Sequence, residues 1–282
     1  MSGGKGKTDW TVGINNYFAD SPHTVELLYL NGKTDDETIP QTIATLKPDR
    51  VVAVGGDGTL KIVAEHLIDS GIPLGVLPAG SANGMARELG IPATIEESLA
   101  IVVEGQLRPV DLIDINDGEL CLHLSDIGLN AQVVRHYEKN NLRGMFGYLR
   151  SVIEALRKRR QLRVEIQTDD ECIQRVAFMV VLANARMYGT GAVINPDGDP
   201  SDGQFEVVIF RRLPIWGIVK LFWRYRPFDP RNVEILPATS IAIETHRKAY
   251  FQIDGEYRGR ITKLKAHIKP GAITMLVPQP PN

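Results

Sequence analysis

Through the first 110 residues, continuous apolar runs alternate with stretches in which apolar positions recur every three or four residues. VVAVGG (51–56) and PLGVLPAG (73–80) are apolar without alternation, as expected of parallel strands covered on both faces. Each opens into a helical pattern. After the first, Leu60, Val63, Ala64, Leu67 and Ile68 form one stripe that stops at Gly71; after the second, SANGMARELG predicts a short helix ending at Gly90. HTVELLYL (23–30) reads as another strand and DDETIPQTIATL (35–46) as a helix interrupted near Pro40. Two readings compete at the chain start. One is a helix capped by Thr8 that presents Trp10, Ile14, Tyr17 and Phe18, with Gly13 weakening it; the other is a strand over TVGINNYF. Alternation of this kind argues for a doubly wound α/β domain.

From about residue 112 the pattern changes. ELCLHL, LRVEIQT, VAFMVVLAN, QFEVVIF, SIAIET, AYFQID and AITMLV are short strand-like runs between polar turns. One helix interrupts them at about 142–160, with Met145, Tyr148, Leu149, Val152, Ile153 and Leu156 as its stripe. The pattern predicts a mostly antiparallel β domain. The expected division is an α/β domain over 1–111, to which 275–282 returns, and a β domain over 112–274.

Composition narrows the function classes. A length of 282 residues supports two domains, and a net charge of −2 gives no support for a nucleic-acid binder. Cys121 and Cys172 are far apart without metal-ligand spacing, which predicts inert core thiols in a reducing compartment. MSGGKGKTDW has no apolar stretch of a signal peptide, and no run of about 18 apolar residues could span a bilayer. The expectation is a cytoplasmic protein that reaches lipid only by transient peripheral contact.

The candidate chemistry sits in the glycine turns. A strand that ends in GGDGT and opens a helix exposes backbone N–H groups where the helix dipole favours phosphate. Asp57 is informative, because a lone carboxylate repels phosphate unless a cation lies between them, and Mg²⁺ is the usual one. The plain alternative is a tight turn with Asp57 as a cap. Thr59 either caps the helix or donates to a phosphate. The second turn, LPAGSANGMAREL, would lie beside the first at the carboxyl edge of one sheet, with Ser81 and Asn83 facing the same crevice.

In order along the chain, GGDGTLKIVAEHL, PLGVLPAGSANGMARELGIP, VDLIDI, PDGDPSDGQFEVVIF and FQIDGEYRG resemble the diacylglycerol kinase catalytic family, which includes bacterial soluble lipid kinases and is related to sphingosine and ceramide kinases. The resemblance covers nearly the whole chain. It implies an ATP-binding α/β domain followed by a β-sandwich domain, with the active site in the cleft between. By position it sets nucleotide phosphates against Gly56, Asp57, Gly58, Thr59 and Ser81, adds a nucleotide contact at Asn31, and matches Ser2 and Gly3 to the end of a first phosphate loop. It makes Glu256 the general base, with Asp254 beside it as the structural residue of the turn. Asp199, Asp202 and Gln204 match a metal-binding turn. Asp111 either joins Asp57 in a water-mediated Mg²⁺ network or simply ends its strand.

Two features depart from the family pattern: Gly84 stands where a carboxylate is usual, and the strand and Asn-Pro before the first phosphate loop are absent or replaced. The implied function is an ATP- and Mg²⁺-dependent lipid kinase acting on diacylglycerol or a related lipid alcohol. The alternatives are a sphingoid-base kinase and a catalytically weak nucleotide- or lipid-binding protein of the same fold. NAD kinases also carry GGDGT, but their Gly-Phe-Leu segment and Asn-Glu pair are missing. Candidate partners are a lipid substrate at a membrane surface and a second copy of the chain. PIWGIVKLFWRYRPFDPRN (214–232) and RKRR (157–160) are the candidate membrane-facing stretches, each weighed against plain packing or helix-end electrostatics.

Overall fold

The structure is a computed structural model that describes residues 9–139, 160–169, 171–187, 193–212, 229 and 231–280. The chain divides into two compact units: Met1–Pro109 with Ile273–Asn282, and Val110–Ala272.

In unit 1 the chain start is helical. Asp9 rather than Thr8 caps α1 (Trp10–Phe18), its carboxylate accepting the Val12 N–H at 3.2 Å. Ile14 is buried, and Trp10 and Phe18 pack with it against Leu77, Leu99 and Val102. Residues 23–30 form no strand. Val25, Leu27, Leu28 and Tyr29 stay substantially exposed, because β-branched and aromatic residues make a strand only where a neighbour completes the ladder. Helix α2 (Asp35–Leu46) runs through Pro40 without a break. Strand β1 (Val51–Gly55) pairs in parallel with β2 (Leu74–Pro78), from Val51 opposite Leu74 to Gly55 opposite Pro78. Helix α3 (Asp57–Glu65) follows β1 and buries Leu60, Val63 and Ala64; the short α4 (Gly84–Glu88) follows β2. Helix α5 (Ile95–Glu104) brings Leu99 and Val102 onto the sheet beside α1.

Strand β3 (Gln106–Ile115) leads into unit 2. There β4 (Glu119–Cys121), β5 (Leu124–Gly128), α6 (Leu129–Lys139), β6 (Leu162–Thr168), β7 (Cys172–Ala177), β8 (Met179–Ala183), β9 (Phe205–Phe210), β10 (Val233–Ala238), β11 (Ser240–Ile253) and β12 (Glu256–Val277) follow. The two runs expected at 240–245 and 249–254 are one strand. β11 carries a register shift between Glu244 and Ala249; residues before it pair with β6 and residues after it pair with β5. Such an irregularity lets one strand serve both layers of a β-sandwich. One layer is β7–β6–β11 and the other β11–β5–β8–β9–β10, with antiparallel pairing throughout.

Alternation along these strands builds two cores. Val180, Leu182, Val207 and Ile209 join Ile166, Phe205, Ile243 and Phe251 inside the sandwich. Their neighbours Met179, Val181, Val208 and Phe210 pack on the opposite face with Leu129 and Val133 of α6. Helix α6 is not among the elements that the pattern predicts; its buried Leu129, Ala131 and Val133 alternate rather than recur every three or four residues. The helix expected at 142–160 lies outside the described residues, apart from Arg160. Cys121 is buried as expected, but Cys172 is exposed at the start of β7 and is no core thiol. Among the described residues no helix is long and apolar enough to cross a membrane. The last residues of β12 return to unit 1, where Met275 pairs in parallel with Leu74 of β2.

Candidate active site

In unit 1 the two glycine turns touch. Ala79 donates its N–H to the Gly55 carbonyl at 3.0 Å, and a Cβ built on Gly56 would lie 3.3 Å from Gly80 Cα. A Cβ on Gly80 would overlap the Gly56 backbone and come within 2.7 Å of Asn83 Oδ1, so only glycine permits this approach. Gly56 is the N-cap of α3 and offers no side-chain cap. The first backbone bond of the helix runs from Leu60 N–H to Gly56 O at 3.0 Å, which leaves the Gly58 and Thr59 N–H groups without an acceptor among the described residues. Uncapped amides at the positive end of a helix dipole form an anion site.

Asp57 does not cap its own helix. Its Oδ2 accepts the Gly84 N–H at 2.9 Å and its Oδ1 the Met85 N–H at 3.1 Å, so it staples the first turn of α4 to the first turn of α3. Gly84, where a carboxylate is usual, supplies one of those amides. Asn83 has φ of 50° and turns its amide back into its own loop, accepting from Gly80 N–H and donating to the carbonyls of Pro78 and Gly80. It therefore shapes the turn and does not face a crevice. Ser81 is exposed on the same loop, and the Thr59 side chain lies against Gly55. Asn31 shapes the entry to α2: its Oδ1 accepts from Lys33 and Thr34 N–H at 2.7 and 3.0 Å, while Asp35 accepts the N–H groups of Asn31 and Gly32. Ser2 and Gly3 lie outside the described residues.

In unit 2 the DGE turn joins β11 to β12. Asp254 and Gly255 both have positive φ, 50° and 85°, the two-residue hairpin geometry that Asp-Gly favours. The Asp254 carboxylate accepts N–H groups from Leu122 (3.0 Å), His123 (2.9 Å) and Leu124 (3.2 Å), and so anchors the turn to the loop before β5. Gln252 Oε1 accepts the Gly255 N–H at 2.7 Å and its amide nitrogen donates to buried Asp126. On this braced turn Glu256 stands exposed, 2.9 Å from Arg258, which also meets Glu119 at 3.2 Å. The sequence marks Asp254 as the structural residue of the turn but not its partners Leu122, His123 and Leu124, nor the Gln252–Asp126 bond, because these bridge about 130 positions.

The remaining predicted residues cluster in the same unit. Asp111 is buried, accepts the N–H groups of Gly203 and Gly271 at 2.7 Å each, and donates its own N–H to the Pro200 carbonyl. Burial pushes its carboxyl above the ordinary aspartate value, and the two amides pull it back. It thus holds the loop that carries Asp199, Asp202 and Gln204. In that loop Asp199 accepts the Ser201 N–H and Asp202 the Gln204 N–H, each at 3.0 Å. Among the described residues no three His, Cys, Asp or Glu side chains converge as a metal site.

Comparison with known proteins fits this layout. Residues 1–115 match the model of the diacylglycerol kinase catalytic domain, and residues 125–277 that of the YegS C-terminal NAD kinase beta sandwich-like domain. The chain belongs to the family built from these two domains, a diacylglycerol kinase catalytic domain followed by a YegS-type beta sandwich-like domain. Within the family it is 27% identical to a diacylglycerol kinase of Bacillus subtilis over 76% of this chain and 73% of that one. It is 29% identical to an uncharacterised Synechocystis protein over 81% of this chain, and spans only 54% of that relative's length. A crystal structure of a putative diacylglycerol kinase from Bacillus anthracis superposes with a TM-score of 0.79 at 24% identity, covering 95% of this chain and 91% of that one. An Archaeoglobus fulgidus NAD kinase, solved in complex with ATP, gives a TM-score of 0.56 at 13% identity over 96% and 90% of the two chains. These likenesses establish a shared fold of an α/β domain and a β-sandwich.

Proposed function

We propose that this chain is a lipid kinase that uses ATP and Mg²⁺ to phosphorylate the hydroxyl of diacylglycerol or a related lipid alcohol. The observation that carries the reading is the uncapped N-terminus of α3, held against a second glycine turn by Gly56, Gly80 and Asp57. Family membership supports it, as do the relatives named diacylglycerol kinase and the ATP bound by an NAD kinase of the same fold.

In this reading the amides of Gly58 and Thr59 hold phosphate oxygens of the donor nucleotide, and exposed Ser81 adds a hydroxyl donor. Each Asp57 oxygen spends one lone-pair direction on an amide and keeps another. That suits Mg²⁺, which typically binds one or two carboxylates, phosphate oxygens and water, and which supplies neutralisation of phosphate charge. Glu256 accepts the proton of the lipid hydroxyl as its oxygen attacks the γ-phosphorus, and the bond from that phosphorus to the departing ADP breaks. Glu256 parts from Arg258 to do so, and the braced Asp254–Gly255 turn keeps its backbone in place meanwhile.

The deciding experiment is transfer of labelled γ-phosphate from Mg²⁺–ATP to diacylglycerol, sphingosine, ceramide and total bacterial lipid, with Glu256→Gln in parallel. A labelled lipid that disappears in the variant is the expected result. No product on any lipid from a folded protein would overturn the proposal, and nucleotide binding without transfer would favour a binding protein of the same fold.

A further inference from the structure

Helix α6 and strands β11 and β12 gather two tyrosines and two arginines on one patch of unit 2. The Arg135 guanidinium lies 5.2 Å from the centroid of the Tyr250 ring and 5.8 Å from that of Tyr257, and donates to the Tyr250 hydroxyl at 3.1 Å. Arg260, opposite Tyr250 in the β11–β12 ladder, brings a second guanidinium to 5.1 Å from the same ring. It donates to the Lys248 carbonyl at 2.8 Å. Neither arginine has a carboxylate partner among the described residues. Two cations therefore share one aromatic ring, and Arg135 is partly withdrawn from water. Repulsion and lost hydration both count against this arrangement, and an aromatic face offsets only part of the cost.

The surrounding hairpin has the same imbalance. Lys263 is matched by Glu244, and Arg258 by Glu256 and Glu119. Arg247, Lys248 and Lys265 are exposed and meet no carboxylate among the described residues. A chain with a net charge of −2 thus concentrates uncompensated positive charge on one hairpin.

We infer that Arg135 and Arg260, clasping Tyr250, bind the phosphate of an anionic phospholipid headgroup and so fasten this face of unit 2 to a bilayer. Guanidinium forks match phosphate oxygens, and each arginine spends only one of its five N–H donors on the protein hydrogen bonds described here. Tyrosines with an apolar body and a polar tip suit the headgroup layer. The choice of a lipid rather than a soluble phosphate rests on the lipid-kinase reading above, whose acceptor resides in a membrane.

Co-sedimentation tests the inference without nucleotide, using phosphatidylcholine vesicles with and without phosphatidylglycerol. The protein should sediment with the anionic vesicles, less so at high salt. Arg135→Gln/Arg260→Gln should weaken binding about tenfold or more, whereas Lys33→Gln/Arg163→Gln, the same change in charge on other exposed sites, should retain it. Arg135→Lys/Arg260→Lys should fall between, since the charge stays but the fork and stacking go. Arg260→Gln alone, at an exposed position, keeps the test valid if the double variant unfolds, with a loss of a few-fold expected. Equal binding by the glutamine variants, or an equal loss in the control, would overturn the inference. So would arginine-dependent binding of glycerol 3-phosphate in solution without preference for vesicles. Phosphoryl transfer to detergent-dispersed lipid reports separately on the kinase reading, so either can fail alone.

Discussion

The GGDGT turn of unit 1 and the DGE turn of unit 2 solve one problem in different materials. In both, an aspartate accepts backbone N–H groups from a neighbouring segment: Asp57 from Gly84 and Met85, Asp254 from Leu122, His123 and Leu124. Unit 1 then presents backbone, the bare amides at the start of α3, and needs glycines to do so. Unit 2 presents a side chain, Glu256, on a turn whose shape is fixed by others. A site made of backbone cannot be altered without altering the fold, whereas a site made of one exposed side chain can be removed cleanly.

The largest expected effect follows from that contrast. Glu256→Gln should lower phosphoryl transfer by about 100-fold or more while leaving the thermal midpoint unchanged; paired kinetics and melting curves check both halves. Asp254→Ala should destabilise unit 2 by about 3 kcal/mol, since three amides lose their acceptor at once, and urea unfolding would measure it. Gly80→Ala should cost about 2 kcal/mol by forcing the two turns apart, and should weaken nucleotide binding in the same protein. A stable Gly80→Ala variant that binds nucleotide normally would break the comparison, because the backbone site would then be as separable as Glu256.

The smallest effect is a control away from both turns. Arg175 donates to both oxygens of Glu234 at 2.8 Å each and holds its carboxyl below the ordinary value of 4.5. Glu234 therefore contributes stability above that value, and the contribution is lost as pH falls through its lowered pKa. Glu234→Gln should cost about 1 kcal/mol at neutral pH, a difference that shrinks on acidification, without any change in phosphoryl transfer.

Legibility in the sequence follows the same divide. The parallel strands, the helices after them and the contact between glycine turns were readable because strand, turn and helix are consecutive and the glycines mark where backbones meet. The role of Asp57 is half readable: its place at an uncapped helix start follows from GGDGT, but its grip on Gly84 crosses 27 positions. Residues 23–30 read as a strand because they form a short, largely apolar run, and whether a neighbour is present to complete a ladder leaves no local mark. In unit 2 the bracing of Glu256, the burial of Asp111 and the Arg135–Tyr250 stack join residues more than 90 positions apart. Local periodicity carries no record of such contacts. Helix α6 leaves little local mark, because the apolar side chains it buries among its described residues, Leu129, Ala131 and Val133, are spaced two apart and show no three-to-four-residue stripe.

The return of β12 to pair with β2 sets a timetable for biosynthesis. Leu74 is translated some two hundred residues before Met275, yet the sheet of unit 1 is incomplete until that partner leaves the ribosome. The first half of the chain must therefore wait, with one side of β2 unpaired, while the whole sandwich is made. Fragments ending near residue 110 should be poor folders prone to edge-to-edge association, and supplying residues 256–280 in trans should rescue them.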